Sequence, residues 1–327
     1  MVIGGAGYIG SMLVSILLDQ GNHVTVIDNL LFGGEPLLPF LPFQQFNLVK
    51  EDICTSRNLD EKIRGADAVV HLAALVGFPA CDRAGREMTW RINVEGTQRV
   101  YKSAMRAGVK RFVYASSYSN YGRAEGDTMV NEESPLFPQS LYAESKIAAE
   151  RFLLEQASQS TTSPTCLRLA TVFGVSPRTR FDLMVNQFTL EAFLKRRLVI
   201  FQQDFKRSFV HVRDVARAVS VVVDAPENLV RGQVFNIGSE KLNTTKSFLV
   251  KVLQKHWPDV QLELRDANFG GDMRSLHVSF EKARRALGFE ARLSLEEGIN
   301  ELCWILENNV IQEPQSNRYR NHPAIIV

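Results

Sequence analysis

Gly4-Gly5-Ala6-Gly7-Tyr8-Ile9-Gly10 decides the fold of this chain. It satisfies G-x-G-x-x-G through Gly5, Gly7 and Gly10, and G-x-x-G-x-x-G through Gly4, Gly7 and Gly10. A short apolar stub, Met1 to Ile3, precedes it, and a helical pattern from Ser11 to Gln20 follows and stops at Gly21. Strand, glycine turn, helix is the context that a dinucleotide fingerprint requires. The glycines let backbone approach a pyrophosphate, and the helix start offers amide donors with the positive end of its dipole. Asp28 closes the next strand pattern, His23 to Ile27, where a carboxylate can accept from both adenosine ribose hydroxyls. That charge repels a 2′-phosphate, and Asn29-Leu30-Leu31 supplies no arginine to offset it, so NAD is expected over NADP. Asp52-Ile53, after a third strand at Phe46 to Leu48, is expected near the adenine.

Working outward, apolar runs alternate with helical patterns, the signature of a parallel sheet with crossover helices. A short helix over Leu59 to Arg64 precedes a strand over Ala68 to Leu72; a long helix spans Ile92 to Ala107. Strands follow at Arg111 to Ala115 and Thr165 to Leu169, separated by a helix from Tyr142 to Gln156. Near-continuous apolar strands imply burial on both faces. The fold class is α/β, a doubly wound parallel sheet of Rossmann type with a smaller, partly discontinuous α/β substrate domain. We expect the first domain over 1–172 with a return segment at about 209–240, and the second over 173–208 and 241–327. Phe209 to Val212 and Val234 to Ile237 read as strands, with helices at Thr245–His256, Glu281–Leu287 and Leu295–Asn308. The polar, proline-punctuated tail from Gln312 to Val327 reads as extended or disordered. Only three residues precede Gly4, so a true N-terminus upstream of Met1 is an open expectation.

Composition excludes several classes. With 45% hydrophobic and 23% charged residues and a net charge of +2, neither nucleic acid nor a membrane surface is implied. No apolar run approaches the ~20 residues of a membrane span. Cys54, Cys81, Cys166 and Cys303 are scattered without metal-ligand spacing, which suits reduced thiols in a cytoplasmic protein and no metal.

Tyr142 and Lys146, in Tyr-Ala-Glu-Ser-Lys, are four residues apart and therefore share one helix face. An ammonium beside a phenol stabilises the phenolate, which can then take a proton from a substrate hydroxyl. Further motifs are His71-Leu72-Ala73-Ala74, Asn93-Val94-Glu95-Gly96-Thr97, Ser116-Ser117 with Tyr121-Gly122, and Arg207-Ser208-Phe209-Val210-His211-Val212-Arg213-Asp214-Val215. With these the chain resembles the extended short-chain dehydrogenase/reductase family, in particular its nucleotide-sugar epimerase and dehydratase branch. Ile3 departs from the pattern, since a threonine is usual before the first glycine.

The resemblance implies roles. Ser117, Tyr142 and Lys146 are the expected catalytic residues. Gly4, Gly7, Tyr8, Ile9, Gly10, Asp28, Asn29, Asp52, Ile53, Leu72, Ala73, Ala74, Asn93, Tyr142 and Lys146 are expected at NAD. Asn93 acts through backbone or water contacts or as a helix cap, and His71 is structural. Ser117, Tyr118, Ser119, Thr171, Arg180, Asn186, Arg207 and Arg274 are expected at the substrate, with Arg178 and Asp182 in the same stretch. Hexose 4,6-dehydratases of the family carry Asp-Glu directly after the Ser/Thr, and the 3,5-epimerase/reductases carry a cysteine there. Here Tyr118-Ser119 stands in that place, which disfavours both reactions; Cys81 reads as packed. The expectation is an NAD-dependent epimerase of a nucleotide sugar, with two rivals on sequence alone: a net dehydrogenase or reductase, and a non-catalytic NAD-binding regulator. A homodimer through the 93–107 and 142–156 helices is expected by analogy.

Overall fold

A computed structural model describes residues 1–122, 129–201, 203–265 and 276–321. Its centre is a seven-stranded parallel sheet of β1 (Val2–Ile3), β2 (Val24–Asp28), β3 (Phe46–Lys50), β4 (Ala68–His71), β5 (Arg111–Ser117), β6 (Ser163–Leu169) and β7 (Gln233–Ile237). The spatial order is β7-β6-β5-β4-β1-β2-β3, so the winding reverses between β1 and β4. Ligands of doubly wound sheets bind at the carboxyl ends of such a reversal. β1 has two residues, but Val2 pairs with Val26 and Val70, and Ile3 with Ile27 and His71, so neighbours hold it on both sides.

Alternation along each strand feeds two cores. Val2, Val26, Val70 and Val113 pack on one face against Leu13 and Val14 of α1 (Tyr8–Asp19) and against Val215 and Val219. Ile3, Ile27, Val69 and Phe112 pack on the other, against α2 (Leu59–Ile63), α4 (Gly96–Arg106) and α5 (Leu141–Gln156). A third cluster, including Phe173, Phe181, Phe209, Leu253 and Leu302, joins helices Met184–Lys195, Lys246–His256 and Leu295–Glu307.

Four elements differ from the sequence reading. Residues 92–107 are not one helix: a π-helical turn at Arg91–Glu95 precedes α4. Ahead of it lies α3 (Phe78–Trp90), absent from the sequence reading, broken at Gly85 with φ +75° and carrying Cys81. Val212 begins a helix, Val212–Asp224, instead of ending a strand. The tail is ordered through Asn321, with a short 3-10 turn at Asn317–Tyr319; the rest of the expected tail lies outside the described residues.

Candidate active site

The β1–α1 turn forms the floor of a cleft. Gly4 has φ +84°, and a Cβ there would sit 2.6 Å from the Ala73 amide nitrogen. At Gly10 a Cβ would fall 2.2 Å from the Gly4 carbonyl oxygen, so only glycine lets α1 start this close to the strand. Gly7 caps α1 with no side-chain hydrogen bond, leaving the first-turn amides without a side-chain acceptor. At the end of β2, Asp28 accepts from the Ala6 amide (3.0 Å) and the Leu30 amide (2.8 Å). Each carboxylate oxygen keeps a lone pair for a further donor. Burial pushes the Asp28 carboxyl above its ordinary value, against the pull of those amides. Asn29 donates to Asp52 at 3.3 Å, joining the loops after β2 and β3.

β5 and α5 supply the reacting end. Ser117 is the last residue of β5, and its Oγ accepts from the Ser119 amide at 3.2 Å, which leaves its own proton to give. Ser140 caps α5 and sets the helix phase that carries Tyr142 and Lys146. Lys146 Nζ donates to the Ala115 carbonyl at 2.8 Å and lies 6.0 Å from the Tyr142 ring centre. Burial lowers its pKa to about 8. Beside them the Tyr118 hydroxyl meets Thr171 Oγ1 at 2.7 Å.

Both halves open into one cleft of roughly 340 Å³, within the range of small-molecule sites. Gly4, Gly7, Tyr8, Ile9, Gly10, Asp28, Asn29, Asp52, Ile53, Leu72, Ala73 and Ala74 line it, together with Ser117, Tyr118, Ser119, Tyr142, Lys146, Thr171 and Arg180. The Tyr8 hydroxyl is spent on the Gly174 carbonyl at 2.7 Å, so only its ring and backbone face a ligand. Arg180 is engaged bidentately by Asp182 at 3.0 and 2.9 Å.

Three expected contacts fall outside the cleft lining. Asn93 is buried, and its amide accepts from the Leu75 N–H and donates to the Leu75 carbonyl and Ser145 Oγ. It clamps the loop after β4 onto α5 rather than meeting a ligand. Asn186 spends its amide on both backbone groups of Gly174 and on the Arg180 carbonyl, because the 174–180 loop has no sheet to satisfy it. Arg207 is buried in strand Lys206–His211, opposite Thr244. Arg274 lies outside the described residues. His71 is structural: it is buried against Thr97 Oγ1 at 3.1 Å, and desolvation lowers its pKa to about 3, so it is neutral. Cys81 is packed, its Sγ toward the Leu75 carbonyl.

Sequence reading passed over Phe32 and Asn321, which also line the cleft. They come from two remote segments, and no local motif marks them. Arg178, expected in the stretch toward the substrate, lines the cleft and is buried over Phe32, 4.3 Å above its ring.

The glycine turn, the Asp28 carboxylate and Ser117, Tyr142 and Lys146 meet in one cleft, and a family model matches residues 1–238. The chain belongs to the NAD dependent epimerase/dehydratase family. NAD is the cofactor of that family, and the uncapped α1 start, the Gly4–Gly10 packing and the open lone pairs of Asp28 fit it. Among curated relatives, a dTDP-glucose 4,6-dehydratase of Streptomyces niveus is 27% identical, with 96% of this chain and 94% of that protein aligned. A UDP-glucose 4-epimerase of Halalkalibacterium halodurans is 28% identical over 93% and 94%. Among solved structures, MoeE5 in complex with UDP-glucose and NAD superposes with a TM-score of 0.81 at 28% identity, covering 95% of this chain and 99% of its own. DesIV, a dTDP-glucose 4,6-dehydratase from Streptomyces venezuelae with NAD bound, gives 0.83 at 27% over 96% and 99%. The family spans epimerases and dehydratases, and these relatives include both.

Proposed function

We propose that this enzyme is an NAD-dependent epimerase of a nucleotide-activated sugar. The observation that carries this reading is what adjoins Ser117: a Tyr118–Thr171 hydroxyl pair rather than carboxylates. Among the described residues the carboxylates lining the cleft are Asp28, Glu51 and Asp52, all at its adenosine end. Eliminating water from a sugar calls for an acid and a base beside the reacting carbon; epimerisation needs only the one proton carrier. Bound NAD supplies the redox chemistry at that carbon, taking reducing equivalents and returning them.

The chain's own residues manage position and proton. Ser117 donates to the substrate hydroxyl and orients it toward Tyr142. Tyr142 takes its proton, leaving a keto sugar, and Lys146 answers the phenolate charge with an ammonium anchored on Ala115. The keto sugar re-presents its other face, and Tyr142 returns the proton to the oxygen. Gly4, Gly7, Ile9, Gly10, Asp28, Asn29, Asp52, Ile53, Leu72, Ala73 and Ala74 would hold the cofactor, with Thr171, Tyr118, Ser119 and Arg180 toward the sugar. Pairing of α4 and α5 with a second copy belongs to the same proposal, and a monomeric mass by light scattering would contradict it.

Purified protein mixed with candidate sugar nucleotides, with no added cofactor, tests the reading. Interconversion of two epimers supports it; a dehydrated sugar product overturns it.

A further inference from the structure

Arg178 is buried and faces the cleft, yet among the described residues no carboxylate pairs with it. Its Nη1 donates to Asn321 Oδ1 at 2.6 Å and its Nη2 to the Arg320 carbonyl at 3.4 Å, both neutral acceptors, while Nε has none. Its neighbour Arg180 adds like charge but is itself answered by Asp182. Burial and Arg180 lower the Arg178 pKa to about 10, against the weaker pull of Asp182 and Asp28, neither of which it contacts. A cation withdrawn from water with no anion in contact costs stability, so a structural role alone is poorly served by an arginine here.

Its position says what would answer it. Ser176, two residues earlier, donates to the Tyr8 carbonyl at 2.6 Å and meets Ser11 Oγ at 3.1 Å. Tyr8 returns a bond to Gly174. These ties hold the 174–180 loop on the first turn of α1, the end where unpaired amides and the positive dipole favour an anion. Asn321 is held in turn, its backbone N–H donating to Asp182 at 3.0 Å, and the Phe181 backbone N–H donates to the Tyr319 carbonyl at 2.8 Å. The C-terminal segment therefore straps the arginine in place.

We propose that Arg178, held by Phe32 and Asn321, roofs an anion subsite that takes a pyrophosphate oxygen of the bound dinucleotide opposite the α1 amides. A 2′-phosphate on the adenosine ribose would offer the same chemistry, but Asp28 lies at that ribose. The inference rests on the cofactor-cleft reading and can fail without it.

Calorimetric titration of cofactor-stripped protein with NAD, ADP-ribose, NADP and adenosine tests it. Arg178→Gln is expected to weaken NAD and ADP-ribose by about 10- to 100-fold and to leave adenosine unchanged. Arg178→Lys should recover part of the loss, and Asn321→Ala should cost about 3- to 10-fold on NAD. The cofactor-free Tm of Arg178→Gln is expected at or above wild type, because an unanswered charge has gone. Unchanged NAD affinity, an equal loss on adenosine with a lowered Tm, or a loss confined to NADP would each overturn the proposal. If Arg178→Gln does not fold, Asn321→Ala decides, along with competition by inorganic pyrophosphate against NAD in the wild type; no competition overturns it. Wild type that binds no NAD at all would instead remove the cleft reading.

Discussion

In the proposed reaction Tyr142 and Lys146 divide the acid–base work, one carrying the proton and the other its countercharge. Tyr142→Phe should lower turnover by roughly 100- to 10,000-fold while NAD titration stays near wild type; unchanged turnover removes Tyr142 from the chemistry. Lys146 carries its proton below about pH 8 and loses it as the pH rises through that value. Turnover that depends on the ammonium should therefore fall on the alkaline side of about 8. Lys146→Arg, always charged, should shift that limb upward at a reduced rate, and an alkaline limb that does not move contradicts the assignment. The same depression below the ordinary 10.5 means the buried ammonium costs stability below about 8, a cost relieved as pH rises toward 10.5. At the other end, Asp28→Ala should weaken NAD by about 10- to 100-fold and narrow its advantage over NADP, measured by titration with both. Glycines, Asp28 and the Tyr-Lys pair were legible because each is a local pattern with a fixed offset. The surroundings of Arg178 were not, since Phe32 and Asn321, which define them, lie 146 and 143 residues away in the chain.

The π-turn at Arg91–Glu95 and α5 act together as the frame of the reacting residues. Asn93 bonds Ser145, and Ser145 bonds the Tyr142 carbonyl at 2.8 Å, so the loop after β4 and α5 share one anchor. Farther along α5, Glu150 pairs with Arg168 of β6 at 2.5 Å and accepts from Ser116 at 2.6 Å, next to Ser117. Both members of this pair are buried, and removing one leaves the other charge stranded. Glu150→Ala should cost about 3–5 kcal/mol, read from denaturant midpoints, and a loss below about 1 kcal/mol would show that the pair is not structural. Elements with one unbroken pattern were legible, among them α5 and the central strands. Val212–Asp224 was not read as a helix because β-branched valines fill it, although Val215, Val219 and Val222 keep helical spacing. α3 was hidden by Pro79 and Gly85, which interrupt its periodicity.

At the scale of the molecule, one sheet sets both ends of the cleft: the β1–α1 turn at its reversal and the end of β5 two strands away. The segment after β6 adds Thr171, Val172, Arg178, Arg180 and Leu183 to the cleft lining, and the segment through Asn321 reaches back to it. Among the described residues no helix is long and apolar enough to cross a membrane. Because the cleft lining comes from remote segments, NAD bound there should tie the fold together: at about 100-fold its Kd it should add about 2.7 kcal/mol, seen as a raised Tm. No shift would contradict binding in the cleft. The doubly wound sheet was legible from alternation and the first glycine turn. Packing of the tail was not, since it depends on Arg178 and Asp182 rather than on any pattern within the tail. The most direct measurement is product analysis with a simultaneous NADH readout, on enzyme purified with its bound NAD and given one sugar nucleotide. Two epimers at equilibrium with no accumulated NADH is the expected result; NADH released in proportion to oxidised sugar would contradict it.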